Sequence, residues 1–357
     1  MDDHILRYWI GFNRAQGIGP VRLRALIDHF GNIETAWKAP LGALKNAGLD
    51  QRSVDSLIRA RNQTDLDAEM RTIQRLGLHI VPIDDPDYPL LLRSLYDAPP
   101  VLYIKGSLTE GDGRAIAVVG TRRATSYGKT ITAELVTGLA QRGLTVISGL
   151  ARGIDAVAHQ AALAAGGRTI AVLANGLDQV YPPEHHALAE AIAAQGALIS
   201  ELPIGSPPER GHFVPRNRII SGLALGVLVV EASETSGALK TADLALDQGR
   251  EVFAVPGNAS SPTSRGTNAL IRSGAKMVLD VDDILGEIDQ SFLRTASLPE
   301  KRERGEQVPT RPTVRYVSDD PTEASLLRLL SSGPQEIDTL AHLTGLPIQQ
   351  ISSALTQ

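Results

Sequence analysis

The sequence predicts an α/β protein with a doubly wound, mostly parallel sheet. Two observations predict it: short apolar runs recur between residues 113 and 290, and Ala-rich stretches of helical length separate several of them. The runs are continuous rather than alternating, which is typical of parallel strands buried on both faces. A Rossmann-like domain is therefore expected. Its predicted strands are Ile116–Val119, Val146–Ile147, Thr169–Leu173, Leu198–Ile199, Val227–Val230, Val252–Val255 and Lys276–Leu279.

The segment before these strands is predicted to extend the same domain. Ile80–Pro82 and Val101–Ile104 have the apolar character of short strands, and a Pro-rich stretch lies between them. We expect this segment to pack on the α/β part of the chain, so that one extended domain spans residues 66–290.

Residues 1–65 are predicted to form a small helical domain. Apolar residues at 23, 26, 27 and 30 have helical spacing, and Gly17-Ile18-Gly19-Pro20 precedes them. This arrangement is typical of a SAM-like or helix-hairpin-helix unit, in which Pro20 suits the first helical turn. DNA-binding hairpins usually have a small Ala where this chain has Leu23. A plain connector or a protein contact is therefore favoured over DNA binding here.

The C-terminal part is predicted to contain a linker and a second helical segment. Residues 291–320 are charged and lack an apolar period, which indicates a solvated linker. Residues 321–357 have the pattern of a helix-turn-helix with its turn at Gly345. That is the front half of a winged helix, but no wing strands follow. The segment is therefore expected to be incomplete, either truncated or degenerate.

Composition excludes several classes of protein. The 357 residues contain no cysteine, which rules out disulfides, thiolate metal sites and a cysteine nucleophile. No signal peptide or membrane-length apolar run is present, so a cytoplasmic protein without membrane association is expected. The net charge is -5, and residues 113–290 hold 15 Lys/Arg against 17 Asp/Glu. Any nucleic-acid site must therefore concentrate its cations locally.

The residues after the first predicted strand of the α/β part suggest a phosphate cradle. Gly120, Thr121, Arg122 and Arg123 precede a helix predicted from Ser126, and glycine, hydroxyl and cation are the groups that bind phosphate there. A P-loop is excluded, because Arg123 stands where its first glycine belongs. No G-x-G-x-x-G follows any strand either. ATP hydrolysis and dinucleotide binding are therefore not expected.

Further candidate anion sites follow the other strands, at the edge where ligands of open α/β sheets bind. Each candidate also has a structural explanation. The glycines after the second strand suit a tight turn, and Ser236 suits a helix cap. Arg216 and Arg218 diverge on a helix, so one of them is expected to be structural. The additional candidates are Ser148, Gly149, Arg152, Arg216, Asn217, Arg218, Ser236, Gly237, Lys240 and Arg265.

No reaction centre is evident in the sequence. There is no G-x-S-x-G elbow, and the eight histidines lack metal-ligand spacing. Asp155 and Glu231 fall near the edge of the sheet without any indication that they pair as acid and base. We therefore expect no catalytic residue, metal or cofactor. A row of anion sites suits a polyanion. Aromatic side chains are few there, chiefly Tyr127, Tyr181, Phe213 and Phe253.

Ordered motifs along the α/β part resemble the DNA processing protein A family (DprA/Smf). Asn175 and His185 depart from the family's usual Gly and Asn. The motifs are Val119–Arg122, Ser148–Asp155, Gly176–Asp178 with Tyr181-Pro182, Arg216–Leu223, Ser236-Gly237 with Thr241-Ala242, Val255–Gly257, and Gly266–Asn268 with Leu270-Ile271.

The resemblance implies a bacterial protein of natural transformation. Such a protein binds incoming single-stranded DNA, dimerises through the α/β domain, protects the strand and loads the RecA recombinase, without catalysis or a cofactor. It implies DNA contacts at Arg122 above all, then at Arg123, Arg216 and Lys240. The alternative is a phosphoribohydrolase of the lysine-decarboxylase-like family. Its P-G-G-x-G-T-x-x-E loop is absent, since Pro256-Gly257-Asn258 begins like it and then diverges.

Overall fold

The computed structural model describes residues 2–296 and, beyond them, residues 343, 344, 346 and 350. Residues 1–298 form one compact unit and residues 299–357 a second. Apart from those four residues, the segment predicted as an incomplete winged helix lies outside the described residues, as does the predicted linker beyond residue 296.

The described chain begins with helices and continues with alternating strands and helices. Its helices are α1 Asp3–Asn13, α2 Pro20–Phe30, α3 Ile33–Lys38, α4 Leu41–Asn46, α5 Gln51–Gln63, α6 Leu66–Arg75, α7 Leu90–Arg93, α8 Ser126–Gln141, α9 Ile154–Ala164, α10 His186–Gln195, α11 Arg210–Gly222, α12 Gly237–Asp247, α13 Arg265–Arg272 and α14 Val281–Ala296. Its strands are β1 Leu78–Pro82, β2 Val101–Gly106, β3 Ala115–Val119, β4 Thr145–Ser148, β5 Thr169–Val172, β6 Ala197–Ser200, β7 Gly226–Val229, β8 Glu251–Ala254 and β9 Lys276–Met277.

The N-terminal helices pack around a shared apolar core. α1 contributes Trp9, Ile10 and Phe12, all nearly or fully buried. α2 starts at Pro20, as expected of a residue suited to the first turn. Helix α6, which lies beyond the boundary predicted at residue 65, also packs on α1. Arg14 and buried Glu69 form an ion pair that joins the two helices, so the helical layer extends to residue 75.

The strands form one mixed sheet with the order β1-β2-β6-β5-β4-β3-β7-β8-β9. From β6 to β9 neighbouring strands are parallel, whereas β2 pairs antiparallel with both β1 and β6. The doubly wound, mostly parallel sheet predicted from the apolar runs is confirmed. The chain proceeds from β3 through β4 and β5 to β6, then returns to β7 on the other side of β3. The switch point of the topology therefore lies between β3 and β7.

Helices cover both faces of the parallel part. On one face, α11 and α12 pack on side chains such as Ala117 and Val229. On the other face, α8, α9 and α14 pack on side chains such as Ile116 and Leu228. This two-sided burial explains the continuous apolar runs. Helix α14 extends to residue 296, so residues 291–296, predicted as part of a linker, are helical. No helix in the described part is long and apolar enough to cross a bilayer.

Candidate nucleic-acid interface

The candidate site lies on the rim, which we define as the edge formed by the loops after β3, β4, β5, β6, β7 and β8. Strand direction explains why distant parts of the sequence meet there, because neighbouring parallel strands end on the same side of the sheet. The loops are residues 120–125, 149–153, 173–182, 201–209, 230–236 and 255–264. Most of the predicted site residues fall in these loops or at the first residues of the helices that follow.

The loop after β3 presents two free cations. Arg122 and Arg123 are both exposed. Among the described residues neither guanidinium pairs with a carboxylate. Thr125 caps α8, since its side-chain oxygen accepts a hydrogen bond from the N–H of Gly128. The phosphate-binding groups predicted here are thus at the surface and lack internal anionic partners.

Arg122 stands beside an aromatic pair. Its guanidinium carbon lies 5.3 Å from the centroid of the Phe213 ring, a cation–π distance. The Tyr181 ring lies 5.8 Å from the same ring at an interplanar angle of 64°. Tyr181 is exposed and Phe213 is partly buried. A cation and two aromatic side chains therefore converge on one part of the rim.

Helix α11 adds a cation that the sequence reasoning missed. Arg210 is exposed and is the first residue of α11. Residues three apart lie on one helix face, which puts Arg210 on the face of Phe213. The signal in the sequence was this Arg-x-x-Phe spacing. We call Arg122, Tyr181, Arg210 and Phe213 the rim cluster. By contrast Phe253, predicted at the rim, is fully buried in the core because it lies within β8.

Arg216, a predicted DNA contact, is almost completely buried. Its guanidinium donates hydrogen bonds to the carbonyl of Val172 and, at 3.0 Å, to that of Gly149. Burial lowers the pKa of Arg216 to about 10, although buried Asp155 acts in the opposite direction. Its placement therefore indicates a structural role, because its donors bind the carboxyl ends of β4 and β5.

Arg218, its companion two residues on, is also bound internally. It donates to both carboxylate oxygens of Glu201, at 3.0 and 2.6 Å, and lies 3.1 Å from Asp97. Asn217 is half-buried between the two arginines. The two guanidinium groups do diverge along the helix, as expected, but each binds protein groups. The structure brings neither to the open surface of the rim.

The loop after β4 is fixed from inside. Ser148 is buried and its hydroxyl donates to the carbonyl of Val118 at 2.6 Å. Gly149 is buried beneath Arg216, since a Cβ there would come within 2.7 Å of the guanidinium. The Asp155 carboxylate accepts hydrogen bonds from the N–H groups of Gly149 and Ala151, and burial raises its pKa. Ser148 and Gly149 thus shape the loop without reaching its surface.

The remaining predicted cations are exposed. Arg152 is ion-paired with Glu184 at 2.5 Å, and Lys240 with Asp243 at 3.2 Å. Exposed pairs of this kind contribute little stability. Arg265 is exposed at the first residue of α13.

Ser236 caps α12, as the alternative interpretation of that motif holds. Its side chain accepts a hydrogen bond from the N–H of Ala238. Gly237 follows as the exposed first residue of the helix. The two departures from the family pattern also hold loops: Asn175 donates to the carbonyls of Gly176 and Gln179, and His185 contacts the carbonyl of Leu150.

The described residues contain no group of three or more His, Asp or Glu side chains arranged to hold a metal ion. A cavity of about 1050 Å³ opens between α6, β1 and the turn at residues 110–113. None of the predicted site residues lines it.

A model of the DNA recombination-mediator protein A family matches residues 79–289. The chain belongs to this family. A second model, of the DprA winged helix domain, matches residues 310–357. The winged-helix character predicted for the C-terminal segment is confirmed, and the match begins inside the stretch predicted as a linker.

Relatives of the family extend the likeness over almost the whole chain. A Smf protein of Synechocystis sp. is 37% identical over 98% of this chain and 94% of its own. The crystal structure of DNA processing protein A from Streptococcus pneumoniae superposes with a TM-score of 0.70 at 35% identity, covering 79% of this chain and 97% of that one. The protein from Helicobacter pylori, whose structure concerns a single-stranded DNA binding mode, gives a TM-score of 0.54 at 29% identity over 60% of this chain and 97% of that one.

Proposed function

We propose that this chain binds single-stranded DNA through the rim and passes it to the RecA recombinase during recombination of incoming DNA. The observation that carries the proposal is the rim cluster. Arg122 and Arg210 offer exposed positive charge, and Phe213 and Tyr181 offer aromatic faces beside it. Cations that bind the backbone and rings that stack on bases are the two components of single-strand binding.

Preference for a single strand follows from the aromatic part of the cluster. A base can stack on Phe213 only if it is not held in a duplex stack. The cations contact phosphates, which carry no sequence information. We therefore expect binding to be insensitive to base sequence. The structure of the H. pylori relative, which concerns a single-stranded DNA binding mode, supports the preference for a single strand.

We propose that the rim has no catalytic activity and no cofactor. Two carboxylates at the rim, Asp155 and Glu231, are buried and accept hydrogen bonds from backbone N–H groups. General acid–base catalysis needs a group within hydrogen-bond reach of the substrate, and these two side chains are not presented at the surface. This geometry gives no support to the phosphoribohydrolase alternative. Lys240 and Arg265 add further exposed cations to the rim. We therefore propose that the DNA strand runs along the whole rim.

We propose that the protein acts as a homodimer in the cytoplasm, where the recombinase and the chromosome are. The outer edge of β9 supports a dimer: it is the last strand of the sheet, and Met277 and Leu279 beside it are 44% and 61% exposed. An open strand edge with apolar side chains is suited to pairing with a second chain.

The test is fluorescence anisotropy with a labelled 30-nucleotide single strand and the duplex of equal length. Wild-type protein should bind the single strand at least about tenfold more tightly, and homopolymers of different bases should bind alike. The variant Arg122→Ala/Phe213→Ala should lose this preference. Equal affinity for the duplex, or an unchanged affinity of the double variant, would contradict the proposed function.

A further inference from the structure

Glu231 lies at the switch point between β3 and β7, where open α/β sheets bind their ligands. It comes just after β7 and is only 2% exposed. Helix α8, which follows β3, begins beside it. The first N–H groups of a helix lack partners within the helix, and its dipole places partial positive charge there. In nucleotide-binding proteins of this architecture, a phosphate occupies that position.

In this chain the Glu231 carboxylate occupies it. One carboxylate oxygen accepts the N–H of Thr125 at 2.9 Å, and the other accepts the Thr125 hydroxyl at 2.6 Å. A Cβ on Gly128, in the first turn of α8, would come within 2.2 Å of the first oxygen. Glycine at 128 is what lets the helix lie so close to the carboxylate. No Lys or Arg among the described residues forms an ion pair with Glu231.

The same residue holds both ends of the loop that carries the cations. The backbone carbonyl of Glu231 accepts the N–H of Thr121 at 2.7 Å. Its carboxylate holds Thr125, four residues later. Arg122 and Arg123 lie between these two anchors. Both anchors of the loop therefore belong to one buried residue that follows β7, and the anchor at Thr125 depends on its side chain.

We propose that Glu231 is a built-in anion of the switch point, which excludes free phosphate and mononucleotides and fixes the loop of Arg122 and Arg123. An incoming phosphate monoester at the start of α8 would meet a buried carboxylate, and it would find the N–H of Thr125 already bonded to Glu231 and the N–H of Gly128 bonded to the Thr125 side chain. A polynucleotide backbone binds outside the crevice, along the exposed cations. The exclusion of small anions does not depend on DNA binding. The role of Glu231 in positioning Arg122 and Arg123 for DNA rests on the proposed function.

The test is chemical rescue of Glu231→Ala. This substitution removes a CH₂–carboxylate group, and acetate has the size and charge of the missing part. We expect the variant to melt about 4 °C or more below wild type, because hydrogen bonds to a charged group are lost. Sodium acetate at 50 mM should restore most of that loss, and inorganic phosphate or dAMP should raise the melting temperature as well, since a ligand of the folded state stabilises it. Sodium chloride of equal ionic strength should not.

Three matched proteins are measured beside it. Wild type and Glu231→Gln should show no acetate-specific rise, because their crevice stays filled. Glu234→Ala removes an exposed carboxylate three residues away and should likewise show none. If acetate and phosphate stabilise Glu231→Ala no more than they stabilise these three, the proposal is overturned. If Glu231→Ala does not fold, its refolding yield is compared in acetate and in chloride. A higher yield in acetate supports the proposal, and equal yields overturn it.

Single-strand affinity separates this inference from the proposed function. We expect Glu231→Ala to bind the labelled strand about tenfold more weakly and to regain affinity in acetate but not in chloride of equal ionic strength. If rescue of stability occurs while wild type does not bind DNA, the proposed function fails and the built-in anion stands. If wild type binds DNA and acetate does not rescue the stability of Glu231→Ala, the proposed function stands and the proposed role of Glu231 fails.

Discussion

The guanidinium of Arg122 lies over the ring of Phe213, with 5.3 Å between its central carbon and the ring centroid. The two residues are 91 positions apart in the sequence, one in the loop after β3 and the other on α11. In the proposed function, this contact places a charge that binds the DNA backbone next to a ring on which a base stacks. A nucleotide needs both within its own length, so the pair is the smallest unit of the proposed single-strand site.

Arg122→Ala should weaken single-strand binding and flatten its salt dependence. Each cation that neutralises a phosphate releases counterions, so the slope of log affinity against log salt should fall by roughly 0.7. The measurement is a salt titration of anisotropy for wild type and variant. Arg142→Ala is the matched control: it removes an exposed arginine at the other end of α8, where it pairs with Asp282. An unchanged slope for Arg122→Ala, with a lowered melting temperature, would instead indicate a structural arginine.

Phe213→Ala should weaken binding without changing the salt slope. Stacking of one base on an aromatic ring contributes about 1–3 kcal/mol, which corresponds to a loss of roughly tenfold or more. Phe213→Tyr keeps a ring and should retain most of the affinity. A fall in the salt slope of Phe213→Ala equal to that of Arg122→Ala would show that the ring acts only by holding the arginine in place.

Arg216→Met should destabilise the fold. The substitution leaves the carbonyls of Gly149 and Val172 without their donor inside the protein. Each buried unsatisfied group costs about 1–3 kcal/mol, so we expect a free energy of unfolding lower by about 3 kcal/mol in urea denaturation. Exposed Arg265→Met is the control and should unfold like wild type. A free energy of unfolding equal to that of wild type would contradict the structural role of Arg216.

The sequence predicted the strands well and the side-chain roles unevenly, for a physical reason. Apolar runs report burial on both faces of a sheet, and each run predicted from residue 80 to residue 279 contributes to a strand. A charged residue in a loop carries no such periodic signal. Arg122 and Arg216 look alike in sequence, yet one is exposed and the other almost fully buried. Only the packing of α11 on the ends of β4 and β5 distinguishes them.

Glu231 illustrates the same limit. Its position after β7 was visible, but its partner Thr125 is 106 residues earlier in the chain. The pairing follows from the adjacency of β3 and β7, which is a property of strand order rather than of local pattern. Phe253 was misplaced for the opposite reason: it was assigned to the rim although it belongs to the strand before the loop.

Removing residues 299–357 should leave most single-strand affinity intact. The rim and α14 belong to the first compact unit, which ends at residue 298. A cut at 291 would remove the end of α14, whose Ile284 and Ile288 pack in the core, so the later cut is the better design. We expect the dissociation constant of the truncated protein to stay within about threefold of wild type. A loss of a hundredfold or more in a protein that melts normally would move the site to the C-terminal unit.

Stability should fall in mildly acidic solution because of His159. The residue is fully buried, and Thr169 determines its tautomer: the Thr169 hydroxyl donates to the carbonyl of Val146, so the Nδ1–H of His159 donates to the Thr169 oxygen at 2.7 Å. Its Nε2 is buried and has no hydrogen-bond partner within the part of the chain that the structure describes. Desolvation, with smaller contributions from nearby His185 and Arg216, lowers the pKa of His159 to about 3.

The sign of the effect follows from the two protonation states. Above about pH 6.5 the imidazole is neutral in both folded and unfolded protein and has no effect on stability. Below that pH the imidazole binds a proton in the unfolded chain, whereas in the folded protein it stays neutral down to about pH 3. For each unit by which the pH falls, this residue should therefore lower the free energy of unfolding by about 1.4 kcal/mol. Urea denaturation between pH 7.5 and 5 should show that slope in wild type and its loss in His159→Gln, whatever the stability of the variant at pH 7.5. His186→Gln, at an exposed position, should keep the wild-type slope. An equal slope in His159→Gln and wild type would mean that another group causes the acid sensitivity.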